Sequence, residues 1–322
     1  MQVPVLSRHA RVTTWVRSLI LAALPWAWFP LRDPLGVVGD VVAILLPALA
    51  GLIAVAALVV ARRRAVLPVI SLVLAAAVAV VAPWTPDDAG TVAPGAGVTI
   101  ASANVTSMRS TLPPLRDVSA DVVVVAEDGA AVDAGLVAAY PHSVVTPGVP
   151  RGGVYSPAAP RVGVYSRFPL RLLELPGPDL PGLRVAVDAP IPFTLYALHV
   201  PRPWFTGQGE YQATVAQHHR LVVALAGRAA RETGPVVLAG DLNSTDRGRD
   251  YRLLTDGTGL VDAMRDGWTG PTSVTTWRAF LLRIDHLLVG PGWCGDASRQ
   301  FPLSRSDHDG ITAVVGPCAP IG

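Results

Sequence analysis

The stretch that decides the fold is Pro235–Asn243, with the sequence PVVLAGDLN. Two valines and a leucine follow the proline, and the run changes at Gly240 into polar residues. Residues with β-branched side chains, bounded by Pro and Gly, favour a buried strand over a helix. The stretch therefore predicts a buried strand that presents Asp241 and Asn243 at its end.

The same pattern of a short apolar run next to polar side chains recurs along the chain. Gln208–Arg231 differs, because its apolar residues have helical spacing and predict a helix. Together these segments predict a mixed α/β sandwich with a core large enough to fold alone. Taken singly, each polar residue also fits ordinary turn chemistry, so a functional interpretation requires that they form a set. The other segments with this pattern are Val98–Asn104, Asp121–Glu127, Arg161–Arg167, Phe193–His199, Arg283–His286 and Ser306–Val315.

The N-terminal part of the chain has three apolar stretches, Ser18–Leu31, Val41–Ala61 and Ala65–Trp84. The second and third are long enough for spanning helices of about 20 residues. The first is short and contains two prolines, so it also fits a signal-peptide core or an interfacial helix. A buried helical hairpin in a soluble protein is the alternative, but uninterrupted apolar runs of this length argue against it.

Composition divides the chain into three predicted regions. Residues 1–86 are predicted to be an all-α transmembrane segment of about three helices. Residues 87–97 are rich in Pro, Gly and Ala and are predicted to be a linker. Residues 98–322 are predicted to form the α/β domain.

The arginines of the N-terminal region indicate its orientation. Arg8, Arg11 and Arg17 precede the first apolar stretch, and Arg62–Arg64 separate the second from the third. The positive-inside rule places both groups in the cytoplasm. Everything after Trp84 then lies outside, whether or not the first stretch spans. We therefore predict a multi-pass protein of the cell membrane with an extracytoplasmic α/β domain.

Charge and cysteine content narrow the function of the α/β domain. Residues 98–322 contain 19 arginines and 20 acids, and the chain has no lysine. Binding to DNA without sequence preference usually needs a basic surplus, so this balance weakens that class. Cys294 and Cys318 are too few for a disulfide scaffold and form no CxxC motif. One disulfide in an exported domain and two buried thiols both remain open.

Three motifs of the domain form an ordered set: GDLN at Gly240–Asn243, IDHL at Ile284–Leu287 and SDH at Ser306–His308, with Glu127 and His199 before them. In this order they resemble the endonuclease/exonuclease/phosphatase superfamily, over about two thirds of the chain. The resemblance implies a four-layer α/β sandwich of the DNase I-like type. It also implies a metal-dependent hydrolase that cleaves a phosphodiester by in-line attack of water.

The resemblance implies a role for each residue of the set. Glu127 would be the main metal carboxylate, with Asn104 beside it and Asp307 completing the shell. Such oxygen ligands suit Mg²⁺ or Mn²⁺. Asp241 would orient the attacking water, and Asn243 would donate a hydrogen bond to a phosphate oxygen.

The remaining roles concern histidines and arginines. Asp285 would hold the imidazole of His308, and a carboxylate partner of this kind fixes the tautomer and raises the pKa of a histidine. His199 would donate to the phosphate from the other side. Arg167 and Arg202 follow strand ends and are candidate phosphate contacts, although solvated arginines are an equal alternative.

Four neighbouring residues are expected to lie outside the chemistry. Asp128, directly after the metal carboxylate, is interpreted as a turn residue. His286 is expected to point to the opposite face from Asp285, because side chains alternate along a strand. His218 and His219 fall in the predicted helix and are expected to be surface or interface residues rather than metal ligands.

The substrate is not specified by the motifs, because loops around a shared core determine it in such folds. Nucleic acid (DNA or RNA) and a phospholipid headgroup are the two candidates, and the lipid bilayer is the expected partner of the N-terminal helices. No protein partner is implied. Pro203–Phe205 is a candidate membrane wedge, or packs against the core.

A catalytically inactive, membrane-tethered binding module of the same fold is the alternative function. The carboxylates and the last histidine, which such a module usually loses, are however present in this sequence.

Overall fold

The chain divides into two compact units, Met1–Pro83 and Trp84–Gly322. Arg62–Arg64, on which the predicted orientation depends, lie outside the described residues. The predicted boundaries after residues 86 and 97 stay predictions. The computed structural model describes residues 8–60, 66–87, 90–106, 109–146, 161–208, 211–274 and 278–320.

The first unit is helical where it is described. A 3-10 turn at Leu24–Ala27 separates its first two helices and contains a proline near its start, which lacks the N–H that a continuous helix needs. Two segments are long and apolar enough to cross a membrane, by length and composition alone: Val37–Ala56 and Val66–Trp84. The first predicted stretch is not one of them. The helices are α1 (Arg8–Ala23), α2 (Trp28–Leu31), α3 (Val37–Val60) and α4 (Val66–Val81).

The second unit contains two six-stranded mixed sheets and a two-stranded ribbon. The strands are β1 (Val98–Asn104), β2 (Val122–Ala126), β3 (His142–Val145), β4 (Val162–Ser166), β5 (Leu170–Glu174), β6 (Gly182–Val187), β7 (Phe193–His199), β8 (Arg202–Trp204), β9 (Gln212–Thr214), β10 (Val236–Asp241), β11 (Val261–Asp262), β12 (Asp285–Val289), β13 (Trp293–Phe301) and β14 (Gly310–Pro317). The first sheet has the order β13-β14-β1-β2-β4-β3, and the second has β11-β12-β10-β7-β6-β5. Strands β8 and β9 form the ribbon.

Four short helices complete the layers of this unit: α5 (Leu112–Asp117), α6 (Ala130–Val137), α7 (Val215–Ala229) and α8 (Arg249–Thr255). The two sheets face each other across an aliphatic core. Helices α5 and α6 pack on the outer face of the first sheet, and α7 and α8 on that of the second. The central strands are covered on both faces, which explains their continuous valine runs. The predicted four-layer α/β sandwich is confirmed.

Helix α7 is shorter than the predicted helix at 208–231. Thr214 caps it, because its side chain accepts a hydrogen bond from the Gln217 N–H while the Gln217 side chain accepts from the Thr214 N–H. This reciprocal capping box fixes the start of the helix. The preceding residues form strand β9 of the ribbon instead.

Within the second unit, the segment before β1 contacts the last strands of the domain and the residues that follow them. The Val92 N–H donates to Asp296 Oδ2 at 2.6 Å, and the Ala319 N–H donates to the Thr91 carbonyl at 2.7 Å. Close by, Cys294 and Cys318 form a disulfide, which resolves the alternatives that the sequence left open. These contacts join the start and the end of the domain.

Candidate active site

Polar side chains from both sheets meet at one edge of the sandwich. In the second sheet, the parallel pairing of β10 with β7 sets Asp241 opposite His199, and the antiparallel pairing with β12 sets Asp241 opposite Asp285. In the first sheet, Asn104 ends β1 and Glu127 directly follows β2. Four strand ends and the start of β12 therefore bring these predicted residues together.

Asn104 connects the two sheets. Its buried side-chain Nδ2 lies 3.1 Å from Glu127 Oε1 and 3.1 Å from Asp241 Oδ2. Its Oδ1 accepts a hydrogen bond from the Thr106 N–H at 3.1 Å. One amide group thus holds a carboxylate of each sheet, and the two carboxylates converge on the same point.

Asn243 adopts a left-handed backbone conformation, with φ of +46°, which is uncommon for a residue other than glycine. Its N–H donates to Asp241 Oδ1 at 2.9 Å, so the aspartate closes a local turn of the type that Asp favours. Its side-chain Nδ2 donates to the Val200 carbonyl at 3.0 Å. These bonds fix Asn243 at the edge that the strands define.

His308 and Asp285 form the predicted pair, with 2.7 Å between His308 Nδ1 and Asp285 Oδ2. Burial alone would lower the pKa of His308, but the negative charges of Asp285 and Asp241 outweigh it and raise the pKa to about 10. The ring is therefore a cation at neutral pH. Its Nε2 lies 3.8 Å from Asp241 Oδ2, where it faces the site.

His199 is buried and has the opposite electrostatic character. Burial lowers the pKa of His199 to about 3, and the positive charges of His308 and Arg202 act in the same direction. The ring is therefore neutral at pH 7. Its Nε2 lies 3.5 Å from Asp241 Oδ2 and 3.9 Å from Glu127 Oε1, so it faces the point where the carboxylates converge.

Asp241 is almost fully buried, and burial raises the pKa of Asp241 to about 7, with the charge of Asp285 adding to the rise. Within the described residues, Asp241 and Asp285 form ion pairs with histidines and with no arginine. The Asp285 Oδ1 atom is buried there without a hydrogen-bond partner. The site thus carries negative charge that the protein itself does not fully compensate.

The residues present fit a hard divalent cation. One ligand atom from each of Asp241, Asp285 and His308 lies within 4.8 Å of the others, and Glu127 adds a carboxylate nearby. Carboxylate and amide oxygens are the ligands that Mg²⁺ and Mn²⁺ prefer. The grouping differs from the predicted set of Asn104, Glu127 and Asp307, because strand order does not reveal which side chains turn inward.

Glu127 and Asp307, two predicted metal ligands, lie at the rim. The Glu127 side chain is 33% exposed, and its backbone has φ of +53°. Asp307 Oδ1 accepts a hydrogen bond from Thr106 Oγ1 at 3.0 Å and lies outside the group of close ligand atoms. Its role in a metal shell stays a prediction.

The two predicted arginines lie in different places. Arg167 is at the opposite end of the first sheet from Glu127, where its guanidinium lies 3.5 Å from Asp121 Oδ1. The structure does not bring it to the site, because β4 runs antiparallel to β2 and ends where β2 begins. Arg202 begins the ribbon strand β8, is exposed, and is close enough to His199 to lower the pKa of that ring.

Several residues that support the site were not predicted. Thr272 Oγ1 accepts the Asp285 N–H at 3.1 Å. Ser306 Oγ donates to the Asn104 carbonyl at 2.8 Å and accepts the His308 N–H at 3.1 Å. The position of Ser306 two residues before a catalytic candidate was a usable signal, whereas Thr272 lies in an unremarkable loop sequence.

Two neighbouring residues are more buried than their sequence positions suggested. His218 is buried rather than at the surface, with Nδ1 2.9 Å from Asp250 Oδ2. Asp128 is a buried carboxylate that accepts a hydrogen bond from the Tyr165 hydroxyl at 2.6 Å, and burial raises its pKa to about 6. His286 points away from Asp285 as expected, because its Nε2 lies 2.9 Å from the Ser244 carbonyl.

Comparisons with known proteins agree with this geometry. The sequence model of the Endonuclease/Exonuclease/phosphatase family matches residues 93–308. A solved endonuclease/exonuclease/phosphatase from Beutenbergia cavernae DSM 12333 is 20% identical, with a TM-score of 0.51 over 69% of this chain and 72% of that one. Sphingomyelinase C from Streptomyces griseocarneus is 19% identical, with a TM-score of 0.43 over 68% of this chain and 99% of that one. The first likeness shows a shared fold. A search of curated proteins found no match.

Proposed function

Because the chain belongs to the endonuclease/exonuclease/phosphatase family, whose members are phosphoesterases, we propose that it is a membrane-anchored, metal-dependent phosphodiesterase. The observation that carries the proposal is the convergence of Glu127, Asp241 and the His308–Asp285 pair at one edge, with Asn104 joining the two sheets. Acid, base and phosphate-binding groups then surround one small volume.

We propose that Glu127 holds Mg²⁺ or Mn²⁺ at the rim and that Asn104, whose Nδ2 donates to Glu127 and Asp241, keeps the two carboxylates in place. We prefer Glu127 to the His308–Asp285 pair because the Glu127 side chain is 33% exposed, whereas that pair is buried and its facing atoms are joined by a 2.7 Å hydrogen bond. When bound, the cation would neutralise charge on the phosphoryl oxygens. We keep Asp307 as a proposed member of the metal or phosphate shell.

The protein groups divide the chemistry between them. Water attacks the phosphorus in line while the opposite P–O ester bond breaks. Asp241 orients this water and accepts its proton, a task for which a pKa of about 7 is suitable. His308, which is cationic at neutral pH, gives a proton to the departing oxygen. Neutral His199, through Nε2, and Asn243 donate hydrogen bonds to the phosphoryl oxygens.

The substrate is a phosphodiester of nucleic acid or of a phospholipid headgroup. The surface beside His199 combines a cation with apolar rings, since Arg202 is exposed and Trp204 and Phe205 are 38% and 65% exposed. We propose that Arg202 contacts substrate phosphate. The two rings then contact the group attached to it, whether a base or a lipid.

We also propose that the helices anchor the chain in the cell membrane and that the catalytic domain is extracytoplasmic. Two helices meet the length and composition of spans, and the arginine distribution favours this orientation. The Cys294–Cys318 disulfide adds independent support, since such bonds persist mainly outside the reducing cytosol. A C-terminal alkaline phosphatase fusion should be active and a GFP fusion dark; the reverse result contradicts the orientation.

The activity is tested with the purified full-length chain and Mg²⁺ or Mn²⁺. The substrates are plasmid DNA, vesicles of sphingomyelin or phosphatidylinositol, and a bis-aryl phosphodiester. Asp241→Ala and His308→Ala should abolish turnover, whereas Asp256→Ala, at an exposed position, should retain it. The preferred substrate identifies the branch of the family. Absence of turnover on every substrate contradicts the proposal and favours an inactive binding module.

A further inference from the structure

A second buried histidine–aspartate contact lies directly behind the active-site turn. His218 on α7 is 2% exposed. Its Nδ1 lies 2.9 Å from Asp250 Oδ2 of α8, and its Nε2 lies 3.1 Å from the Leu242 carbonyl oxygen. The family motifs identified in the sequence do not include His218 or Asp250.

The carbonyl that His218 contacts belongs to the peptide group between Leu242 and Asn243. The N–H of the same peptide group donates to Asp241 Oδ1 at 2.9 Å. One peptide plane is therefore held at both ends. His218 contacts its carbonyl oxygen, to which the Ser244 hydroxyl also donates at 3.2 Å, and Asp241 accepts from its N–H. Asn243, the residue that supplies this N–H, has a left-handed backbone with φ of +46°. A conformation of this kind persists only where surrounding contacts enforce it.

The hydrogen-bond partners of His218 define what the ring must supply. Nδ1 faces the Asp250 carboxylate, and Nε2 faces the Leu242 carbonyl oxygen, to which it can donate. A donor at the carbonyl polarises the peptide and strengthens its N–H as a donor, because hydrogen bonds in a chain reinforce one another. The Asp241 carboxylate accepts this strengthened hydrogen bond.

We propose that His218, oriented by Asp250, is a positioning residue for the reaction, and that it fixes the Leu242–Asn243 peptide so that Asp241 and Asn243 keep their catalytic geometry. The inference rests on the proposed phosphodiesterase activity. His219 provides an internal contrast: its Nδ1 contacts the other oxygen of Asp250 at 2.5 Å, and the structure gives it no bond to Leu242.

The test compares three variants of the full-length chain with Mg²⁺ and a bis-aryl phosphodiester. His218→Asn removes the donor that reaches Leu242. His218→Gln keeps a donor near the Nε2 position, and His219→Asn is the matched control. We expect His218→Asn to lower kcat by about 10-fold to 100-fold with little change in KM, as for other supporting residues of active sites. His218→Gln should recover most of kcat, and His219→Asn should stay within about twofold of wild type.

Hydrogen exchange at the Asn243 amide supplies a readout independent of turnover. It should accelerate in His218→Asn and return towards wild type in His218→Gln. Unchanged kcat in folded His218→Asn, or equal losses in His218→Asn and His219→Asn, would overturn the inference. If His218→Asn does not fold, a His218→Gln enzyme no better than about 1% of wild type also overturns it. An inactive wild-type chain would instead contradict the proposed function.

Discussion

Two buried carboxylate clusters in the second unit differ in how their charge is compensated. In the first, the arginine cluster, Arg283 is 1% exposed and contacts Asp246 Oδ2 at 2.9 Å and Asp262 Oδ2 at 2.5 Å. In the second, the active site, Asp241 and Asp285 have histidine partners and no arginine among the described residues. The two clusters share two chain segments: Asp246 follows Asp241 closely in one, and Arg283 precedes Asp285 closely in the other.

The titration of the aspartates reflects this difference. For Asp262, burial would raise the pKa, but the positive charge of Arg283 lowers it below the ordinary value. For Asp241, burial and the negative charge of the neighbouring Asp285 together raise the pKa to about 7. Buried charges are stable when they are paired. The aspartates of the arginine cluster therefore have a cation of the protein as partner, whereas those of the active site leave room for the cation and substrate that we propose.

The largest expected effect is on catalysis. Asp241→Asn should lower kcat/KM by about 10³-fold, since it removes the proton acceptor. The same variant should raise the melting temperature at pH 8, because an uncompensated buried carboxylate is removed and stability at active sites is commonly sacrificed for function. Steady-state kinetics and thermal unfolding check the two parts. A variant that loses stability together with activity would contradict the comparison.

The opposite response is expected in the arginine cluster. Arg283→Met leaves Asp246 and Asp262 buried without their cation, and breaking a buried pair in this way costs about 3–5 kcal/mol. Chemical denaturation in detergent measures the loss. Arg220→Met, at an exposed position of α7, is the control and should change stability by less than about 0.5 kcal/mol. Equal stability of the two variants would remove the distinction between the clusters.

A smaller effect should follow pH. The folded-state pKa of Asp241 is about 7, above the ordinary value of 3.8 for an aspartate, so the folded chain retains a proton that the unfolded chain releases. This stabilising contribution is complete below about pH 4 and is lost as pH rises through 7. The melting temperature of Asp241→Asn relative to wild type should therefore increase from pH 5 to pH 8. A constant difference across this range would show that Asp241 is already ionised in the folded chain.

The fold and most of the site could be predicted because both depend on local patterns. Largely apolar strands ending in Asn104, His199 and Asp241 indicate a covered sheet and a polar edge, and the ordered motifs indicate the chemistry. The location of Arg167 could not be predicted, because a strand end in sequence does not reveal to which edge of the sheet it belongs. Antiparallel pairing of β4 with β2 determines this, and that pairing is a tertiary property.

The burial of His218 was missed although a signal for it existed. It lies three residues after Val215 and four before Val222, both on the apolar face of α7, and this spacing places it on the buried side. The arginine cluster had no such signal. Arg283 and Asp262 are 21 positions apart, and nothing in either local sequence distinguishes a buried arginine from a solvated one.

The most direct test of the uncompensated site is binding of Mn²⁺ to the full-length chain, measured by electron paramagnetic resonance without substrate. We expect the wild-type chain to bind Mn²⁺ and the substitution Glu127→Gln to weaken this binding at least about tenfold. Glu174→Gln, which alters a partly exposed carboxylate paired with Arg228 on the outer face, should bind as wild type does. Mn²⁺ binding that is absent from the wild-type chain, or equal in all three proteins, would contradict it.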